Sequence, residues 1–157
     1  MAKNELDDVW EFLDDVHTGW LTTRHGQQLH GRPMGVYVRR DDNAIYLLTN
    51  AASFKDDAVE EDPNVSLAFE KGTKYLSLTA EATVSNDRAK IKELWNNFAE
   101  AWWDGPEDPS IRLLTVTPHM AHYWKTAGKV PSAIAMFAAS VTGKKKPDIG
   151  EQKDVRM

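Results

Sequence analysis

The stretch Thr49-Asn50-Ala51-Ala52-Ser53-Phe54-Lys55-Asp56 gathers the groups that handle an anion. An apolar strand ends at Thr49, two alanines turn the chain, and Ser53 falls at the N-cap of a short helix. Asp56 then occupies the third helical position, as in a capping box. Lys55 lies in the first turn, the unfavourable end for a cation beside a helix dipole. An anion removes that mismatch. Open N–H groups at a helix start, two hydroxyls and an ammonium together form a phosphate cradle. The plainer alternative has Ser53 merely capping the helix and Lys55 in solvent. Arg32-Pro33-Met34 is the second candidate: a guanidinium suits bidentate contact with phosphate or carboxylate, and Pro33 marks an edge or bulge. A lone Arg is ordinarily a solvated residue, so Arg32 gains meaning only beside the first motif.

Aromatic residues supply a different surface. Trp10 and Trp95 fall on apolar helical stripes and read as core. Trp102 and Trp103 cannot both face inward, because helical neighbours are about 100° apart. Tyr123 and Trp124 on a strand point to opposite faces for the same kind of reason. One member of each pair therefore needs a planar ligand or a second subunit to cover it.

Other chemistry lacks its residues. The chain has no cysteine, which excludes disulfides, thiolate metal sites and cysteine nucleophiles. No Gly-x-Ser-x-Gly, glycine-rich phosphate loop of the Walker type, Gly-x-Gly-x-x-Gly or His-Glu-x-x-His occurs. His119 and His122 sit on a turn and a strand where their spacing does not converge, so no metal site is expected. Asp7-Asp8 and Asp14-Asp15 read as a solvated helix face, and Lys144-Lys145-Lys146 as a solvated tail. A phosphate site with aromatics and no nucleophile points to a phosphate-bearing cofactor that brings its own reactivity.

The elements that position these groups follow from periodicity. Residues 5–16 form an amphipathic helix; strands are expected over 20–24, 34–40, 44–49, 65–69, 75–84, 111–117 and 121–125, the last two joined across Pro118-His119. A short helix spans Phe54 to Glu61 and a longer one Asp87 to Trp102, capped by Ser85 or Asn86. Ser132–Val141 reads as a docked helix and 144–157 as a mobile tail, leaving one domain over 1–143. Short connections favour antiparallel neighbours and a small barrel filled by its own side chains, with any ligand outside it or at a subunit boundary. A net charge of -5 without a basic face argues against nucleic acid. The longest apolar run is too short for a bilayer, and no apolar leader opens the sequence, so a cytoplasmic protein without membrane partners is expected.

In order and spacing, these segments resemble the pyridoxamine 5'-phosphate oxidase-like flavin-binding split barrels, in particular their bacterial general stress protein branch. The likeness runs through Thr18-Gly19-Trp20-Leu21-Thr22-Thr23-Arg24, Arg32-Pro33-Met34, Tyr46-Leu47-Leu48-Thr49-Asn50, Ser53-Phe54-Lys55, Asp62-Pro63-Asn64-Val65 and Asp87-Arg88-Ala89-Lys90-Ile91. It continues through Leu94-Trp95 to Val141-Thr142-Gly143-Lys144 and Pro147-Asp148-Ile149-Gly150-Glu151. The resemblance implies a mainly β fold, a six-stranded antiparallel split barrel of Greek-key type with flanking helices, and a homodimer holding FMN between subunits. It implies that Arg32 and Lys55, with Ser53 and Thr49 or Asn50, hold the FMN phosphate. Pro33, Met34 and Gly35 would lie against the isoalloxazine ring, with Trp102 or Trp103, and Trp124, covering the flavin from the partner subunit. FAD and a deazaflavin are the alternative cofactors. The function implied is a flavin-dependent oxidoreductase on an unidentified small molecule, or a flavin-binding stress protein that stores or senses flavin without turnover. The oxidases carry Ser-Arg-Lys where this chain has Ser53-Phe54-Lys55, and they end in a segment bearing Arg and His. Beyond Trp124 this chain has only Arg156 and no His, so oxidation of pyridoxamine phosphate is not expected.

Overall fold

A computed structural model describes residues 4–126 and 150–157, with the side chains of residues 54–56 outside the description. Helix α1 (Glu5–Asp14) starts where Asn4 Oδ1 accepts the Asp7 N–H at 2.8 Å, with Glu5, Asp7 and Asp8 complementing the dipole. Its buried face, Val9, Trp10, Phe12 and Leu13, packs on the barrel core. Strands β1 (Thr18–His25) and β2 (Gln28–Gly35) form a hairpin turned at Gly26, whose φ of 60° a side chain would strain. Strand β3 (Tyr37–Arg39) pairs with β4 (Ala44–Asn50), and α2 (Phe54–Glu61) follows with Ser53 as its N-cap. Strands β5 (Asn64–Lys71) and β6 (Lys74–Ser85) form the second hairpin. Short helices α3 (Arg88–Leu94) and α4 (Asn97–Glu100) precede the long β7 (Ile111–Thr126) and the final β8 (Gly150–Arg156).

The sheet runs β2-β1-β5-β6-β7-β4-β3, with β8 also on β7, and every pairing is antiparallel. Its first and last strands, β2 and β3, are consecutive in the chain and separated only by Val36. Val36 is buried and donates its N–H to His17 O at 3.0 Å. The sheet is thereby curled into a barrel, filled by residues such as Leu21, Leu47, Leu67, Leu78 and Leu114. The mainly β, antiparallel barrel class matches the expectation. The strand count differs: the described residues form eight strands where six were expected.

The differences have local causes. The expected strand over 34–40 is divided: its front belongs to β2, and residues 40–42 form a 3-10 turn. The two strands expected around Pro118-His119 are one. At that point the register slips so that Thr79 faces Met120 while Ala80 faces Pro118. Proline is tolerated because β4 leaves β7 after Val116 and β8 joins only at Met120, so no partner there needs the missing N–H. The helix expected from Asp87 to Trp102 breaks at Trp95, and Asn96 caps the new helix by accepting the Ala99 N–H at 3.2 Å. The cap of α3 is Asp87, not Ser85 or Asn86. Of the tail read as mobile, 150–156 form β8; the expected helix over Ser132–Val141 lies outside the described residues.

Candidate functional site

The ends of β2 and β4 meet on one side of the barrel, and α4 rises beside them. Between them lies a cleft of about 650 Å³, within the usual range for small-ligand sites. From β2 it takes Arg32, Pro33, Met34 and Gly35; from β4, Thr49 and Asn50; from the turn after α4, Trp102 and Trp103. Residues distant in sequence are thus gathered by the sheet. Pairing of β4 with β7 fixes Thr49 opposite Arg112 and Asn50 opposite Ile111, and β1 holds Arg32 opposite Leu21.

Among the described residues Arg32 is the only charged one lining this cleft. It is half-buried and donates through Nη1 to Thr23 Oγ1 at 2.8 Å; among the described residues no carboxylate lies within 4.0 Å of it. Burial pushes its pKa down from the ordinary value, since the charge has lost water without gaining a counter-ion. Thr49 is buried, and its hydroxyl lies 3.0 Å from the Ser53 hydroxyl. Ser53 occupies the N-cap with extended backbone, but its side chain makes no capping bond to the helix backbone. The capping box read from the sequence is therefore not closed by Ser53. Lys55 is the second residue of α2, and its side chain lies outside the described residues.

The two tryptophans divide as adjacent residues must. Trp103 packs against the cluster of Tyr46, Leu48, Ile91 and Leu113, whereas Trp102 is 69% exposed. Arg88 fixes the loop that follows by donating to the carbonyls of Pro106, Asp108, Pro109 and Ile111. Gly35 makes a close approach: a Cβ there would fall 2.5 Å from the Phe98 ring. Trp124 does not line the cleft. It stands on the other half of β7, opposite Tyr75 and Gln152, with the His122 ring 6.4 Å away.

Four lining residues were not foreseen: Thr18, Tyr37, Leu48 and Phe98. Tyr37 donates its hydroxyl to Asn96 Oδ1 at 3.0 Å, the same oxygen that caps α4, and burial raises the Tyr37 pKa. It thus ties the β3 wall to the helix carrying Phe98. His119 and His122 serve different partners, Glu81 at 3.6 Å and Asp154 at 2.8 Å. No helix among the described residues is long and apolar enough to cross a membrane.

The arrangement presents one partly buried cation and the Thr49 hydroxyl in a cleft walled by aromatic residues, with Ser53 bonded to Thr49 but not itself lining the cleft. It suits a planar ligand that carries an anionic group. Comparisons with known proteins agree on the family. The chain is 25% identical over 133 residues to general stress protein 26 of Bacillus subtilis (strain 168), covering 82% of this chain and 94% of that one. The crystal structure of a protein assigned as general stress protein 26 from Jannaschia sp. CCS1 superposes with a TM-score of 0.73 at 29% identity, over 97% of this chain and 98% of that one. The general stress FMN/FAD binding protein of Xanthomonas citri shares the fold, with a TM-score of 0.70 at 23% identity over 79% of this chain and 90% of that one. A family model described as pyridoxamine 5'-phosphate oxidase like matches residues 4–148, and the chain belongs to that family.

Proposed function

We propose that the cleft binds a flavin, FMN in preference to FAD or a deazaflavin, and that the protein is a general-stress flavoprotein acting as an oxidoreductase on a small molecule. The observation that carries this reading is Arg32: a half-buried guanidinium whose only hydrogen bond among the described residues is to a neutral hydroxyl. Such a charge calls for an anion, and the Thr49 and Ser53 hydroxyls stand at the β4–α2 turn to complete its shell. Lys55 joins them as the second cation of the proposed phosphate site. Pro33, Met34 and Gly35 would lie against the ring, with Trp102 and Trp103, which line the same cleft, as its cover. The Xanthomonas citri relative is described as binding FMN or FAD, which supports the class of cofactor.

The exposed apolar residues around the cleft support closure by a second copy. Trp20 is 52% exposed beside Pro33, and Phe98 is 52% exposed at the rim. In such a homodimer Trp124 reaches the flavin only if the second copy presents it.

A bound flavin would supply the redox chemistry; the protein's part is to bind it, orient it and exclude water. Among the described residues no Asp, Glu, His or Lys lines the cleft. That observation favours a second reading, a flavin-binding stress protein that stores or senses the cofactor without turnover. The test is direct. Purified protein should be yellow and release flavin on denaturation; a colourless protein that also fails to take up added FMN overturns both readings. Anaerobic addition of NADH or NADPH then divides them, since bleaching of the flavin supports turnover.

A further inference from the structure

A second polar pocket lies away from the cleft, at the end of the barrel that α1 covers. It measures about 220 Å³. Its wall is a row of charged residues set side by side by the strand pairing: Lys71 on β5 faces Lys74 on β6, Lys74 faces Lys125 on β7, and Lys125 faces Glu151 on β8. Like charges directly opposite one another destabilise a sheet. Lys71 is relieved by Asp15 at 2.9 Å, and Lys153 by Glu5 and Glu151 at 3.8 and 3.9 Å. Lys74 and Lys125, which also line the pocket, have no carboxylate within 4.0 Å among the described residues.

The pocket holds a second unsatisfied group. Tyr123 is nine-tenths buried, its ring edge-on to Phe12 at 6.0 Å. Among the described residues its hydroxyl has no hydrogen-bond partner, which is costly for a buried polar group. Asp8 and Glu11 of α1 also line the pocket, and Asp8 makes no ion pair within 4.0 Å among the described residues. The pocket therefore offers two ammonium groups, a phenol and a carboxylate.

We infer that this pocket binds a small zwitterion of the amino-acid class, its carboxylate between Lys74, Lys125 and the Tyr123 hydroxyl, its ammonium against Asp8. An anion alone would meet Asp8 and Glu11; a cation alone would meet the lysines. Only a ligand bearing both signs satisfies both kinds of group. The site is separate from the cleft and does not depend on the flavin reading.

The test is a titration of the isotopically labelled full-length protein, as purified, with L-aspartate, acetate, ethylammonium and inorganic phosphate, followed by amide chemical shifts. L-aspartate should shift Lys74, Tyr123 and Lys125 saturably, and the single-sign probes should bind about tenfold or more weakly. Tyr123→Phe, which keeps the ring packed on Phe12, should weaken L-aspartate about threefold or more. Lys74→Ala with Lys125→Ala should abolish saturation and raise Tm in the absence of ligand, since it removes facing like charges. Acetate or phosphate matching L-aspartate would overturn the inference. So would shifts confined to Arg32 and Thr49, no saturable shift at all, or a lower Tm in the double variant.

Discussion

Replacing Arg32 by alanine separates the phosphate of the proposed ligand from its ring. In the protein Arg32 is half-buried, donates once, to Thr23 Oγ1 at 2.8 Å, and faces no carboxylate among the described residues. A charge-assisted hydrogen bond to such a group contributes about 1.5–3 kcal/mol, so Arg32→Ala should weaken FMN about 10- to 150-fold. Riboflavin has the same ring and no phosphate, and its affinity should change less than about threefold. The substitution also strips the buried Thr23 hydroxyl of its partner, costing about 1 kcal/mol of stability. Quenching of flavin fluorescence, read for both ligands on wild type and variant, measures the difference, with a thermal melt to check the fold. Equal weakening of FMN and riboflavin, or no weakening of either, would refute the assignment of the phosphate to Arg32.

Other expectations concern neighbouring parts. Gly35→Ala brings a methyl group to 2.5 Å from Phe98, a half-exposed ring free to turn; the melt should shift little while flavin affinity, titrated by fluorescence, falls several-fold. Trp103→Ala removes packing from the cluster beneath α3 and should cost about 2 kcal/mol in a denaturant melt, whereas the exposed Trp102→Ala should leave that melt within about 0.5 kcal/mol. The Asp42 carboxyl is held below its ordinary 3.8, first by the Tyr46 hydroxyl and then by Lys90. A depressed carboxyl contributes stability that is fully present above that value and lost as pH falls through its folded pKa. The Tm gap between wild type and Asp42→Asn should therefore be open at neutral pH and close in acid below about pH 4; a gap independent of pH would contradict it.

The strand end and helix start of the proposed cradle were legible because its residues are contiguous: a strand end, two small turn residues and a helix start sit together in 49–56, and the strand and the helix appear where expected. Arg32 carried its residue type but no spatial signal. Only the curling of the sheet brings it to the side of Thr49, because β2 and β4 lie near opposite ends of the strand order. Strand β2 escaped the alternation reading because it is an outer hairpin arm with residues 28–31 all exposed, which leaves no apolar period to detect. The break at Trp95-Asn96 was masked by the apolar stripe of Ile91, Leu94, Trp95, Phe98 and Trp102, which keeps its helical spacing across a change of direction. Asn96 was the available signal, being a strong N-cap residue. Tyr37 and Phe98 could not be placed because their contribution depends on how β3 packs on α4, a contact 59 residues apart in sequence. Strand β8 looks like a polar tail because Gly150–Arg156 is largely charged, and its pairing with β7 comes through backbone bonds.

A crystal structure of the protein grown with FMN tests the central claim most directly. The phosphate should lie within hydrogen-bond distance of the Arg32 guanidinium and the Thr49 or Ser53 hydroxyl, with the ring along Pro33–Gly35. A flavin phosphate seated anywhere else on the barrel would contradict it.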